Sequence, residues 1–275
     1  MSDEKNLRSL VNSSGFLFQL RVAHEVETTK SEHDWEVIAE ELPWQDQHSG
    51  RGGYIDLVLG KGLMRMVIEC KRVKEGAWVF LLPNTTEMHK DVLLARCMWV
   101  RGPNQLPIPQ SSQEPIFRSG WFNFYPQPSS YMAEFCVVRG TGEDDKPMLE
   151  RIAGQLVGAL EALAVEEIML SLNSTPGQRY VYVPIIVTNA DLQVCRFKSD
   201  EVDLSTGRLS EGEFESVPFI RFHKSLTTQL SPELRPSRLQ AAHQDKMRTV
   251  LVVNSAYLTK LLEEWHFGKE YQPPW

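Results

Sequence analysis

The spacing of apolar residues changes several times along the chain, and each spacing predicts a different kind of element. Over 14–27 apolar side chains recur every three to four positions, which is the spacing of an amphipathic helix. The polar run Asn-Ser-Ser at 12–14 supplies candidate N-cap oxygens for this helix. The same spacing returns over 148–172, after Pro147 at the usual first helical position. We therefore expect two main helices, and a shorter last helix over 254–265.

Shorter apolar runs predict strands. Two of them, 54–59 and 65–73, flank Gly60-Lys61-Gly62, whose glycines tolerate the positive φ of a tight reversal, so they predict a β-hairpin. The run 179–187 is apolar at nearly every position, as expected of a central strand covered on both faces. Further strands are expected at 35–42, 77–82, 192–197, 217–222 and 249–253.

These elements predict an α/β fold, with a central mixed β-sheet flanked by helices, in a single domain over 1–275. Residues 103–147 contain seven prolines, and only 131–138 looks regular. We therefore expect a large insertion over about 84–147. A C-terminal extension is expected over about 200–275.

Composition narrows the class of protein. The chain has 275 residues, 42% hydrophobic and 24% charged, with a net charge of −7, so it is neither a polycation nor disordered as a whole. Its four cysteines form no C-x-x-C pair and have no histidine at ligand spacing, which argues against a zinc site or a disulfide framework. Because the N-terminus has no apolar core of signal-peptide length and the apolar runs are far shorter than a membrane span, we expect a cytoplasmic protein without a membrane partner.

The candidate chemistry lies on the expected hairpin. If its turn is centred between Gly62 and Leu63, residues whose numbers add up to 125 face each other, which places Asp56 opposite Glu69. Side chains alternate along a strand, so Glu69 and Lys71 project from the same face. The pattern predicts two carboxylates and one amine together on one face of a sheet.

Two carboxylates opposed across a strand pair have Cβ atoms roughly 5 Å apart and repel each other unless a cation lies between them. Hard divalent ions such as Mg²⁺ bind carboxylate oxygens and keep several waters, so Asp56, Glu69 and solvent match such a site. Lys71 is placed to orient or deprotonate a metal-bound water. The alternative is a structural ion pair, because an acid-x-lysine tripeptide occurs three times in the chain. Unlike the other two, Glu69 and Lys71 interrupt an apolar strand, where charges need partners.

These residues resemble the signature of the PD-(D/E)XK nuclease superfamily, in which an acid on one strand precedes E-x-K on the next. A helix that often carries another glutamate comes first in that family, and Glu25 lies on the first main helix here. The resemblance covers about 14–82 and 148–197. Two departures are the absence of the nominal proline, since Tyr54-Ile55 precedes Asp56, and the long gap before the second helix.

The resemblance implies a restriction endonuclease-like core and a nuclease that uses Mg²⁺ or Mn²⁺ to hydrolyse phosphodiester bonds. It implies that Asp56, Glu69 and the backbone carbonyl of Cys70 hold the metal, that Lys71 serves the attacking water and that Glu25 assists. For Glu25 a solvated acid at a helix end is an equal alternative. DNA is favoured over RNA, and an endonuclease over an exonuclease, by resemblance alone.

Two rival classes are left open. The first is a catalytically inactive module that keeps the nuclease fold for binding or regulation. The second is a metal-dependent hydrolase of another phosphate ester, which a closed pocket lined by 103–147 would favour. A homodimer or a partner subunit is also left open.

Other features have weaker functional interpretations. Gln155 on the long helix loosely matches a glutamine of some recombination-type exonucleases of this superfamily, and a surface role is the main alternative. The aromatic cluster at 121–125 could stack on unpaired bases or pack on the core. Segment 61–76 has five basic and two acidic residues, and segment 215–250 has six and three, which suits a nucleic-acid surface or ordinary solvated faces.

Overall fold

A computed structural model gives the fold. It describes residues 2–45, 50–73, 76–83, 95–101, 118–124, 126–138, 148–171, 179–226 and 239–267. Its α-helices are α1 (Ser2–Ser13), α2 (Phe16–Thr28), α3 (Lys30–His33), α4 (Met148–Ser171), α5 (Leu239–Asp245) and α6 (Leu258–Glu264). Single 3₁₀ turns lie at Ser199–Glu201 and Ser255–Tyr257. None of the described helices is both long and apolar enough to cross a bilayer.

The strands in the first half of the chain are β1 (Glu36–Gln45), β2 (Gly52–Lys61), β3 (Met64–Lys71), β4 (Ala77–Pro83), β5 (Ala95–Arg101), β6 (Arg118–Phe124), β7 (Pro126–Gln127), β8 (Met132–Ala133) and β9 (Phe135–Val138). Those in the second half are β10 (Arg179–Thr188), β11 (Asp191–Phe197), β12 (Glu213–Ser216), β13 (Phe219–Ser225), β14 (Met247–Asn254) and β15 (His266–Phe267).

A large mixed sheet organises these strands. Its order is β1-β2-β3-β10-β14-β13-β8, and β5 adds to β10 and pairs with β6. The first three strands run antiparallel, whereas β10 runs parallel to both β3 and β14. A second sheet has the order β12-β11-β4-β9, and β15 pairs with β7. The α/β class and the central position of β10 are confirmed.

Helices cover the large sheet on both faces. On one face α4 packs with the inner side of the second sheet, through residues such as Leu156, Leu160 and Phe80. On the other face α2 and α6 pack against strand residues such as Leu57 and Ile68. Each main helix thus buries an apolar stripe on the sheet, and the two faces of the β2–β3 hairpin meet different layers.

Several local expectations need correction. The hydroxyls of Ser13 and Ser14 donate to carbonyls in the last turn of α1, an unexpected helix, so neither caps α2, which begins after Gly15. Strand β1 continues through Pro43 because it lies at the edge of its sheet, where a missing N–H costs no ladder bond. The Asn254 side chain accepts a hydrogen bond from the Ala256 N–H and so caps the 3₁₀ turn that leads into α6.

The segment over 84–147 contributes to both sheets where it is described. Strands β5 and β6 join the large sheet, and β9 joins the second sheet, so regular structure is not confined to 131–138. These strands form because they pair with strands that are distant in the sequence. The proline-rich composition around them does not predict this pairing. The remainder of the expected insertion, including Pro147, lies outside the described residues.

Candidate active site

The β2–β3 hairpin has the register expected from its sequence. Leu57 pairs with Ile68 and Val58 with Val67, and Gly62 adopts a φ of 56° in the turn. Asp56 and Glu69 occupy the next opposed positions, beyond the last ladder pair. An Oδ2 atom of Asp56 accepts a hydrogen bond of 2.6 Å from the Cys70 N–H, which holds this carboxylate beside β3. The hairpin therefore brings the two predicted acids together.

Asp56 and Glu69 line a pocket of about 250 Å³ between the large sheet and α4. Strands β1 and β2 form one wall with two aromatic residues and two glycines, and α4 contributes the other. The lining residues are Trp44, Gly52, Gly53, Tyr54, Ile55, Asp56, Glu69, Gln155, Leu156 and Ala159. None of these residues belongs to 103–147, so the described lining does not match the pocket expected of the other phosphate-ester hydrolase.

Both carboxyl groups have raised pKa values. Burial raises the pKa of Glu69 to about 7, and the neighbouring charge of Asp56 acts in the same direction, against an opposing effect of Lys71. Burial also raises the pKa of Asp56, although the Cys70 N–H bond partly offsets it. Half-buried acids of like charge are stable in water only when protonated or when a cation compensates them. Near neutral pH the pair is therefore compensated by a proton on Glu69 or by a positive charge beside it.

Lys71 is half-buried at the end of β3, and its charge lowers the pKa of both carboxyl groups. Glu41 acts in the opposite direction on the same two groups. Its neighbours Glu40 and Leu42 pair with Leu57 and Ile55, so Glu41 lies at the register position of Asp56. With a φ of 49°, a conformation uncommon for a residue with a side chain, Glu41 interrupts the regular geometry of β1 beside the site. The residue pattern of β1 gave no sign of this.

The first main helix meets the site at a residue other than Glu25. Gln19 is buried on α2, and its Nε2 donates to the Asp56 carbonyl at 3.1 Å. Glu25 lies about 9 Å further along the helix axis. Its carboxylate pairs with Arg21 at 2.6 Å and it does not line the pocket. Gln19 could have been found from the sequence, because it shares the buried helical spacing of Val22 and Val26.

Gln155 lies on the exposed side of α4 and lines the pocket with Asp56 and Glu69. Gln155 is therefore both a surface residue and a residue beside the carboxylates, so the two interpretations from the sequence are compatible. Leu156 and Ala159 continue the same wall of the pocket.

The side chain of Cys70 packs in the core, whereas its backbone contacts the site. Its thiol belongs to the core on the α2 face, where burial raises the thiol pKa well above its usual value. Its N–H donates to Asp56 on the neighbouring strand. Since the N–H and C=O of one strand residue point to the same side, its carbonyl is directed to the same edge of β3. All four cysteines are described and none forms a disulfide.

Apart from Lys71, the basic residues of the two segments considered next lie away from the site. Lys61 donates to the His33 carbonyl, and Arg65 pairs with Glu167 at 2.8 Å, both at the turn end of the hairpin. In the second segment Arg221 and Arg248 are buried, so that segment is not an ordinary solvated face. The Arg248 guanidinium lies 4.0 Å from the ring centre of Trp121, which packs on the core, in agreement with a packing role for this residue of the aromatic cluster. Tyr125 lies outside the described residues.

Within the described parts of the chain, no three side chains of His, Cys, Asp or Glu are grouped to hold a metal ion. A metal at this site would therefore depend on two carboxylates, backbone oxygen and water, as Mg²⁺ sites commonly do. No family model matches the sequence, and no curated protein or solved structure matches the chain. The inference of function consequently depends on the geometry and chemistry of the site.

Proposed function

We propose that the chain is a metal-dependent nuclease that hydrolyses phosphodiester bonds, with DNA as its expected substrate and an endonuclease favoured over an exonuclease. The observation that carries this proposal is the opposed pair Asp56 and Glu69, which line one pocket and whose pKa values are both raised, with the charge of Lys71 acting on both from the same strand. Mg²⁺ or Mn²⁺ is the expected cofactor.

The donor set fits a hard divalent cation. Asp56 and Glu69 would supply two carboxylate oxygens, and the Cys70 carbonyl, directed to the same strand edge, would supply a third. When bound, such an ion polarises a phosphoryl oxygen and lowers the pKa of a coordinated water. The hydrogen bond from the Cys70 N–H fixes the Asp56 carboxylate, so the pair is preorganised.

Lys71 supplies a positive charge on this face. Its ammonium is a compact positive charge with three donors, which suits it to orient a phosphate oxygen or a water beside the carboxylates. Gln19 acts through the backbone, because its amide holds the Asp56 carbonyl and so orients the strand position that presents the carboxylate. We assign Gln19 a positioning role. Assistance by Glu25, which the sequence resemblance implied, is not part of this proposal, because Glu25 pairs with Arg21.

The order of elements supports the restriction endonuclease-like core that the sequence suggests. Helix α2 precedes the three antiparallel strands β1, β2 and β3, after which α4 leads to β10, parallel to β3. The acidic pair lies on the second and third of these strands, on the face covered by α4.

The test is cleavage of plasmid, linear duplex and single-stranded DNA by the purified protein with Mg²⁺, with Mn²⁺ and with EDTA. We expect cleavage with either ion and none with EDTA. RNA and a chromogenic phosphodiester serve as alternative substrates. Absence of cleavage on every nucleic acid would contradict the proposal, and hydrolysis of the small ester alone would favour another phosphate-ester hydrolase.

A further inference from the structure

We infer that the pocket beside Asp56 and Glu69 contains a subsite for one unpaired nucleobase, formed by Trp44, Tyr54 and Gln155. This inference rests on the proposed nuclease function and narrows it to substrates with an unpaired nucleotide at the site. Its basis is the composition, shape and size of the pocket wall away from the carboxylates.

The subsite and the carboxylates lie at different positions along β2. Tyr54 is two residues before Asp56, so its Cα lies about 7 Å away along the strand. A nucleotide whose phosphate meets the carboxylates therefore has its base directed toward the Gly52–Tyr54 part of the pocket. Trp44 pairs with Gly53 across the two strands, so both aromatic side chains come from this same region.

The aromatic residues have the exposure that base stacking requires. Tyr54 is 64% exposed, and Trp44 is half-buried while lining the pocket. Base–aromatic stacking tolerates any base, because every base has a π-face. An exposed tyrosine next to an acidic pair thus matches a nucleic-acid ligand that binds through stacking.

Two glycines lie against Trp44 in this part of the pocket. A Cβ at Gly53 would lie 3.4 Å from the Trp44 Nε1, and a Cβ at Gly52 would lie 2.8 Å from the Trp44 carbonyl oxygen. Larger residues would therefore fill the space beside Trp44 or force the strands apart. The missing side chain at Gly53 thus lets the Trp44 indole lie close to β2, where it forms one side of the subsite.

Charge indicates which part of a nucleotide fits here. None of the described lining residues is Lys or Arg, so the wall away from the carboxylates does not suit a phosphate. Gln155 offers an amide donor and an acceptor on the opposite wall, which matches the edge of a base. The anionic backbone is thus expected at the carboxylate end, with its cation, and the neutral base in the aromatic part.

The size of the pocket matches a single base. Pockets for drug-sized ligands measure roughly 300 to 1,000 Å³, and this one measures about 250 Å³. The pocket is therefore expected to take one base, which must be unpaired and unstacked to stack on an aromatic side chain. We expect preference for single strands, flaps or frayed ends.

The test measures binding without turnover. Glu69→Gln protein in EDTA is titrated against a fluorescent single-stranded oligonucleotide, the same strand in a blunt duplex, and an abasic strand with the same number of phosphates. We expect the intact single strand to bind at least about tenfold more tightly than the other two. Adding Tyr54→Ala should weaken binding of the intact strand about tenfold and leave binding of the abasic strand unchanged.

Tyr257→Ala is the matched control, because Tyr257 is 47% exposed and lies in the 3₁₀ turn after β14. Equal losses for the two tyrosine variants, equal binding of intact and abasic strands, or preference for the duplex would each overturn the subsite. Wild-type protein is assayed in parallel for Mg²⁺-dependent cleavage of the same oligonucleotides. Tyr54-dependent binding without cleavage of any of them would support the base subsite and contradict the nuclease.

Discussion

The two ends of the β2–β3 hairpin both contain charged groups that are partly removed from water, and they are compensated in opposite ways. At the turn end Arg65 donates to Glu167 at 2.9 Å, and the Tyr182 hydroxyl donates to the same carboxylate at 2.8 Å. At the open end Asp56 and Glu69 oppose each other, and burial raises the pKa of both. At the turn end, the charges are compensated entirely by side chains of the protein. At the open end, the pair is compensated by a proton on Glu69 or, as we propose, by a bound cation, and this proposal is the basis for assigning function to it.

The largest expected difference between the two ends is in activity. Glu69→Gln should lower metal-dependent DNA cleavage by about 10³-fold, because it removes a charged ligand while keeping the shape of the side chain. Asp56→Asn should have a similar effect. Glu167→Gln is the matched control at the turn end and should keep wild-type cleavage per folded molecule, with folding checked by circular dichroism. Equal loss in both variants would remove the functional distinction between the ends.

The next largest effect concerns pH. The pKa of Glu69 is raised from 4.5 to about 7, so the metal-free protein is stabilised by the protonated acid at low pH. This contribution is complete below pH 4.5 and is lost as pH rises to about 7, a change of roughly 3 kcal/mol in the free energy of unfolding. Urea unfolding in EDTA between pH 5 and 8 measures it. Glu69→Gln should flatten this dependence, and an unchanged slope in that variant would show that Glu69 is not its source.

Substitution of Lys71, at the open end of the hairpin, should have a smaller effect on cleavage. Lys71→Arg should reduce cleavage about 10²-fold and leave divalent-ion binding intact, because arginine keeps the charge but not the compact, deprotonatable amine. Lys71→Met tests the alternative of a structural ion pair with Glu69. That alternative expects persistent cleavage and a lower melting temperature for Lys71→Met, and calorimetry with the cleavage assay separates the two outcomes.

The smallest effect is expected at the compensated end. Arg65→Met should destabilise the protein by about 2 kcal/mol, because it leaves Glu167 without its ionic partner in a partly buried position. The value is smaller than for a fully buried pair, since the Arg65 and Glu167 side chains are still 12% and 22% exposed. Chemical denaturation at pH 8 is the measurement. A stabilising effect of Arg65→Met would contradict the contrast between the two ends.

The hairpin and its acids could be predicted because all the information is local. Glycines fix the turn, apolar alternation fixes the faces, and one register then determines that Asp56 meets Glu69. The long helix and the central strand were predictable for the same reason, since their apolar patterns extend over many residues. The strand pairing of β10 with β5 was not predictable, because it depends on contacts distant in the sequence.

The rest of the site required the fold. Trp44 and Gln155 come from elements far apart in the chain, and only packing of α4 on the sheet brings them to one pocket. Glu41 has no motif around it, and its left-handed backbone could not be deduced from a glutamate in a strand-like run. Glu25 was selected through the resemblance, whereas the contact with β2 is made by Gln19, earlier on the same helix.

The most direct test of the account is calorimetric titration of the metal-free protein with Mn²⁺ at pH 7, in two buffers of different ionisation enthalpy. We expect saturable binding to the wild type, with proton release because Glu69 has a pKa of about 7 and must deprotonate to bind the ion. Glu69→Gln should lose this binding, and Glu167→Gln should retain it. Indistinguishable Mn²⁺ binding by the wild type and Glu69→Gln would contradict the assignment of Asp56 and Glu69 as a metal site.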